Sequence, residues 1–248
     1  MASGKLSPRQ KMINMMYLVL IALLALNVSN EILKAFHLME VSFTNTNKNL
    51  NAKNNQMMDA FKAAEEDPNK AKRAKKWADK ARQVQKISAE FCAEIQKHKD
   101  AIEKAAGGRK EVDGAAKGTL AEMSKGDDME GHKHYLGTDE NKPGKAEVIR
   151  DLINNTSKKM IDLLKGIKDE KNYMENLSKN TAFKVQTGLK GEDGEKITWE
   201  RDVLGKAPVA AVMAMLTQVQ NDCKSLETDI LSKLAENIDA SVAKFDKT

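Results

Sequence analysis

The hydrophobic pattern divides the chain into one uncharged block near the start and a series of amphipathic stripes after it. Residues 12–30 carry no charge, and at the helical rise such a block reaches about 28 Å, close to the thickness of a bilayer's hydrocarbon core. A cleavable signal has a shorter apolar run closed by a small-x-small site, whereas this one ends Ala25-Leu26-Asn27-Val28-Ser29, so the block is predicted to be retained as a membrane helix. Ser7 suits an N-cap and Pro8 the first helical position, which places the helix start just before Arg9. Lys5, Arg9 and Lys11 precede the block. The positive-inside tendency therefore predicts a cytoplasmic tail at 1–11, a span at 12–30 and an outer domain at 31–248.

Beyond the span the stripes take over. No Gly or Pro occurs between Arg9 and Asp67, so a helix is predicted to continue outward. Phe36, Phe43, Leu50 and Met57 recur every seven residues, with Ile32 and Met39 interleaved. This seam predicts a stalk pairing two copies side by side. The Asn-rich stretch 45–55 interrupts it and predicts a bend or fraying, and Asp67-Pro68 ends it. Trp77, Ala81, Val84, Ser88, Phe91, Ile95, His98 and Ile102 form the next stripe, stopped by Gly107-Gly108. From 107 to 144 the chain is rich in Gly, Lys and Asp and reads as a long mobile connection with a short helix near Leu120. Ile149, Leu152, Thr156, Met160, Leu163 and Ile167 make a third stripe. Between 183 and 208, two short runs flank Gly191-Glu192-Asp193-Gly194 and predict a small β-hairpin. Val212, Leu216, Val219, Cys223, Leu226, Ile230, Leu234 and Ile238 form the last stripe, opened by Pro208. Four long amphipathic segments predict a mainly all-α outer domain, an up-and-down four-helix bundle.

Composition sharpens this picture in two ways. With 31% charged but only 4% aromatic residues, the outer part suits long exposed helices. The net charge of +5 is mild and its signs alternate along the helices, which argues against a nucleic-acid partner. Cys92 and Cys223 lie far apart in sequence. An oxidising compartment would permit a bridge between them, and buried free thiols are the commoner alternative.

Candidate chemistry is sparse. His132 and His134 stand beside Asp127, Asp128 and Glu130, but two histidines alone fall short of a metal site, and a solvated loop is expected. His98 lies on an apolar stripe, where a core histidine satisfied by a neighbour is expected. No nucleophile elbow or phosphate-cradling loop occurs, so no enzyme activity and no cofactor are expected. The predicted span holds Asn14 and Tyr17 but no carboxylate. An ion-driven machine built on it needs its proton carrier from another chain. Arg9 at the cytoplasmic end either favours an acidic partner or only sets topology. Asn14 and Tyr17 share a face suited to packing against a neighbour.

These residues carry a family resemblance. The stretch KLSPRQKMINMMYLVLIALLALNVSNEILKAF resembles the amino-terminal region of the GldM/PorM proteins of type IX secretion and gliding motility. PVAAVMAMLTQVQNDCKSLETDILSKL resembles the end of their first periplasmic domain. The likeness is close in these two stretches and loose across 107–144. It implies a single-pass inner-membrane protein with its bulk in the periplasm. It also implies a homodimer whose anchors sit inside a ring of five GldL/PorL-type subunits, using the proton motive force to work across the periplasm. The partner supplies the membrane glutamate in that family, and the arginine thought to pair with it corresponds to Arg9. Family members continue into β-rich domains that reach outer-membrane components, so this chain is expected to be the amino-terminal portion. An anchored helical bundle also describes the sensing half of a chemoreceptor or sensor kinase, which remains the alternative.

Overall fold

The computed structural model describes residues 7–26, 30–110, 120–138, 144–167, 170–191 and 193–238. The first helix, α1, spans Pro8–Leu26. Its start follows the local chemistry expected of it, since Ser7 Oγ accepts the Gln10 N–H at 3.3 Å ahead of Pro8. Met12, Leu18 and Ile21 on α1 remain 69%, 69% and 63% exposed. Among the described residues no helix is long and apolar enough to cross a membrane, and residues 27–29 of the predicted span lie outside those described.

Two long helices follow, α2 over Asn30–Glu66 and α3 over Ala71–Ala105, joined by a turn in which Asp67 Oδ1 accepts the Asn69 N–H. A two-stranded antiparallel sheet pairs β1, Arg109–Lys110, with β2, Glu122–Met123. The short α4, Gly131–Leu136, then leads to α5, Lys145–Asp162, and α6, Glu170–Asn180. A single wide turn over Glu200–Leu204 precedes the last helix, α7, Val209–Glu236.

Helix α7 is the centre of the domain, packed along both α2 and α3. All of its predicted stripe except the half-buried Val219 is buried, from Val212 to Ile238. The α3 stripe is buried throughout from Trp77 to Ile102, and Phe91 meets Phe183 edge-on at 4.8 Å between ring centroids. Apolar area removed from water along these stripes supplies the main driving force for the fold.

Topology departs from an up-and-down bundle. Asn47 Nδ2 donates to the Thr217 carbonyl at 3.4 Å and Asn54 Nδ2 to the Lys224 carbonyl at 3.3 Å. Both pairs are separated by 170 residues, so α2 and α7 run parallel, whereas the first and last helices of an up-and-down bundle run antiparallel. Contacts from α3 reverse the order, with Lys99 at Thr217, Cys92 at Gln220 and Ser88 at Cys223. Parallel neighbours need a return leg. Here α6 and the irregular 181–208 stretch provide it instead of a fourth full-length helix, since α6 packs only Tyr173, Met174 and Leu177, all partly buried, against the core.

Other local expectations are corrected too. Helix α2 runs unbroken through the Asn-rich stretch, since Asn47 and Asn54 are bonded to α7 rather than to solvent. The predicted hairpin at 183–208 reduces to one isolated bridge, Lys190 to Lys196, and Glu192 lies outside the described residues. The sheet lies instead within the stretch read as a mobile connection. Its strands are two residues long, too short to show an alternating pattern. Among the described residues the short helix of this stretch is α4, and residues 111–119, where the helix expected near Leu120 would begin, lie outside those described. The α7 start secures that stretch, for Val209 N donates to the Asp128 carbonyl at 2.9 Å and Ala210 N to the Gly126 carbonyl at 3.0 Å.

Candidate functional site: a cleft beside a buried polar seam of the helical bundle

The interface of α2, α3 and α7 is polar where an all-apolar core is expected. Along α2 the inward positions Glu40, Asn47, Asn54 and Phe61 recur every seven residues, with the half-buried Phe43 and Leu50 and the buried Met57 and Ala64 three residues further on. This is the spacing of a parallel helix pair with polar groups on one of its two inward rows, a device that sets register at some cost in stability. The partner row here is supplied by α7.

Glu40 is only 2% exposed and anchors the upper part of this seam. Arg109 of β1 grips it with both terminal nitrogens, Nη2 to Oε1 at 2.8 Å and Nη1 to Oε2 at 3.1 Å, the planar fork-to-fork geometry that arginine favours. Arg109 Nε also reaches Glu103 at 2.7 Å, and its Nη1 donates to the Ala121 carbonyl. Lys99 of α3 stands 3.5 Å from Glu40 and donates to Thr217 Oγ1 at 2.5 Å. Burial lowers the pKa of the Lys99 ammonium, with Glu40 opposing that drop. Burial also acts against the Arg109 charge, but its hydrogen bonds to Glu40 and the charges of Glu40 and Glu103 leave that pKa raised.

Two to three helical turns further along α7 from Thr217, Thr228 Oγ1 donates to Asn54 Oδ1 at 2.7 Å, and Lys224 Nζ donates to Glu227 Oε2 at 2.9 Å. Glu227 is fully buried, and its other oxygen has no hydrogen-bond partner among the described residues. The Asn47 side-chain Oδ1 is likewise buried, with no hydrogen-bond partner among the described residues. Beside Glu40 opens a surface cleft of about 420 Å³, lined among others by Asn47, Cys92, Lys99, Arg109, Gln220 and Lys224. The bonds between elements, Glu40 to Lys99 and Arg109 and Asn54 to Thr228, lock the helices against sliding, because a shift of one turn would strand these groups without their partners.

Sequence reasoning passed over these residues, although the seven-residue recurrence of Glu40, Asn47 and Asn54 was visible. The stalk residues fall differently from one another. Phe36, Phe43 and Leu50 are half-buried, and Met57 belongs to the chain's own core. Arg9, Asn14 and Tyr17 all lie on α1 and are exposed, with Asn14 and Tyr17 less than one turn apart. Residues 1–6 of the predicted tail, Lys5 among them, and 27–29 of the predicted span lie outside the described residues.

Both histidine expectations meet the structure. His98 is buried and shares a 2.8 Å hydrogen bond with the Tyr135 hydroxyl, the core histidine anticipated, and burial lowers its pKa. His132 is corrected. Rather than lying in a solvated loop it is fully buried in α4, with Nε2–H donating to the Leu204 carbonyl at 3.0 Å, because α4 folds back over the end of α3. His134 is exposed.

Asp222 on α7 stands apart from the paired carboxylates. Burial alone pushes its carboxyl up to about 6. The folded state then holds the proton more tightly than the unfolded chain, so stability falls as pH rises from about 4 through about 6, and the penalty is fully present above that. Asp222→Asn is expected to raise stability at pH 7.5 by about 1 kcal/mol, a figure reduced because part of the side chain reaches water. The gain should disappear near pH 4, and denaturation midpoints measured at both pH values check it.

Comparison with known proteins agrees with the features of the helical domain. The profile of the GldM N-terminal domain matches residues 31–237. No curated protein matches the chain.

Proposed function

The chain belongs to the GldM family as its amino-terminal portion, and from this premise we propose that it is the shaft or stator-type subunit of an inner-membrane motor driven by the proton motive force. Membership by itself makes the chain a component of gliding and type IX secretion machinery. In the fuller reading, residues 12–30 anchor it in the bacterial inner membrane and two copies stand within a ring of multi-span GldL/PorL-type subunits. The helical domain then carries work outward into the periplasm, toward outer-membrane components reached through later domains. The observation that carries the proposal is the family match across 31–237.

Two structural features support it. The α1 helix leaves Met12, Met15, Met16, Leu18 and Ile21 exposed, apolar surface that lipid or a surrounding ring would cover. The α2 and α7 helices are register-locked by buried hydrogen bonds, so the domain resists internal sliding and transmits displacement as a stiff body. Because Met57 is spent on the chain's own core, the dimer contact belongs to the first half of α2, at Phe36, Met39 and Phe43. Met39 is 49% exposed there.

Purification of the full-length protein from bacterial membranes in mild detergent tests this. It is expected to yield two copies of the chain together with a multi-span protein bearing a carboxylate inside the membrane. A monomer that purifies without any membrane partner would overturn the motor reading.

A further inference from the structure

The structure brings together two thiols that the sequence leaves 131 residues apart, and it does so at the wall of the polar cleft. Ser88 and Cys92 lie one helical turn apart on α3, both toward α7. Cys223 of α7 is fully buried and its Sγ donates to Ser88 Oγ at 3.6 Å. Cys92, one turn along the same face of α3 from Ser88, is near enough to Cys223 for each thiol to act on the other's ionisation. Gln220 pins the two helices at this level, its Nε2 donating to the Cys92 carbonyl at 2.9 Å. Cys92 is half-buried and lines the cleft alongside Lys99 and Lys224. One sulfur thus faces an accessible polar space, and the other stands directly behind it.

We propose that Cys92 and Cys223 form a redox-active dithiol, with Cys92 as the attacking thiol, reached from the cleft, and Cys223 as its resolving partner, able to close a disulfide between α3 and α7 at the expense of a low-molecular-weight or protein disulfide.

The two thiols differ in the sense this chemistry needs. The neighbouring Cys223 thiol lowers the Cys92 pKa, burial opposing it and the nearby Lys224 charge adding to it. Burial pushes the Cys223 thiol well up, and the adjacent Cys92 pushes it further. A lowered, accessible thiol supplies the nucleophilic thiolate, while the buried one stays protonated until its neighbour has reacted. In the first step the Cys92 thiolate attacks one sulfur of the incoming disulfide, forming a mixed disulfide and releasing one thiolate. Cys223 then gives up its proton, attacks the Cys92 sulfur and expels the second thiolate. The pair loses two electrons and two protons, and the incoming disulfide becomes two thiols. With the Cys223–Ser88 and Gln220–Cys92 contacts holding α3 and α7 side by side at this level, side-chain rotation rather than helix movement brings the two sulfurs to bonding geometry. The dithiol uses only this chain's own atoms, so it does not depend on the membrane partner.

The test uses the full-length chain, oxidised glutathione as the probe, and alkylation under denaturing conditions followed by intact and peptide mass measurement. The wild-type protein is expected to pass from two alkylatable thiols to none, to retain no glutathione, and to give a Cys92 peptide linked to a Cys223 peptide within one chain. Cys223→Ser should keep one glutathione on Cys92. Cys92→Ser should react at Cys223 at least about tenfold more slowly than the wild type reacts at Cys92. The proposal fails if the folded wild type keeps both thiols alkylatable, if it retains glutathione on Cys92 as Cys223→Ser does, or if its disulfides join separate chains. It also fails if Cys223 in Cys92→Ser reacts as fast as Cys92. The wild-type arm decides the matter even if a serine variant folds poorly.

Discussion

Arg9→Ala is expected to leave the protein inserted and assembled while abolishing gliding and type IX secretion, and Arg9→Lys to impair both at normal protein levels. Arg9 occupies the first turn of α1, directly after the Ser7 cap and Pro8. The positive end of the helix there adds to its charge and favours a carboxylate partner. If the residue only held the tail in the cytoplasm, lysine would serve as well, because Lys11 already supports the same orientation. If it engages a glutamate inside a surrounding ring, the planar fork and persistent charge of the guanidinium matter, and an ammonium is a poor replacement. Two anchors in a ring with more acidic sites than arginines engage only some sites at a time. Protonation would neutralise an unengaged carboxylate and proton release would restore its attraction, so the ring could step around the pair. Motility and secretion assays beside membrane-fraction blots check the expectation. Normal motility in an assembled Arg9→Ala strain would reduce Arg9 to a topology signal.

The second large effect lies in the polar seam. Glu40→Ala is expected to destabilise the folded domain by about 3–5 kcal/mol. The reason is what it leaves behind, since Lys99 and Arg109 side chains are 7% and 12% exposed and would lose the carboxylate between them. Glu103 remains to Arg109, so Lys99 carries most of the damage. Glu40→Gln keeps the shape and an acceptor oxygen, and should cost less. A pH series separates this from simple loss of packing. Burial already holds the Lys99 pKa below its ordinary value, and removal of Glu40 takes away the group opposing that drop. The folded state of the variant then binds fewer protons than the unfolded chain, so its stability should rise with pH between the lowered Lys99 value and about 10.4. Chemical denaturation of the full-length protein across that range measures it. A cost that does not change with pH would assign the loss to packing alone.

Much of the domain was written in the spacing of its apolar residues. Trp77 through Ile102 and Val212 through Ile238 are buried almost residue for residue as their periodicity requires, because a helix has one inward stripe whatever it packs against. Ser7 and Pro8 marked a helix start for an equally local reason, a side-chain oxygen meeting an unpaired N–H. Family membership was legible as well, from two stretches at the start and near the end of the chain.

What periodicity does not carry is the identity of the neighbour. The seven-residue seam of α2 says that a second helix lies alongside it, and an identical helix of another copy or α7 of the same chain satisfies that spacing equally. Tertiary hydrogen bonds from Asn47 and Asn54 chose α7 and made it parallel, turning a stretch that looked like a break into the register lock of the domain. The burial of Glu40, Lys99, Arg109 and Glu227 was decided at the same level, since a charged residue enters a core only where a partner from another element meets it. Cys92 and Cys223 met for the same reason. Local sequence thus determined which residues face inward and where the long helices run. Only the folded chain, by bringing distant polar groups within hydrogen-bond reach, decided which helices are neighbours, in which direction they run, and what chemistry lies between them.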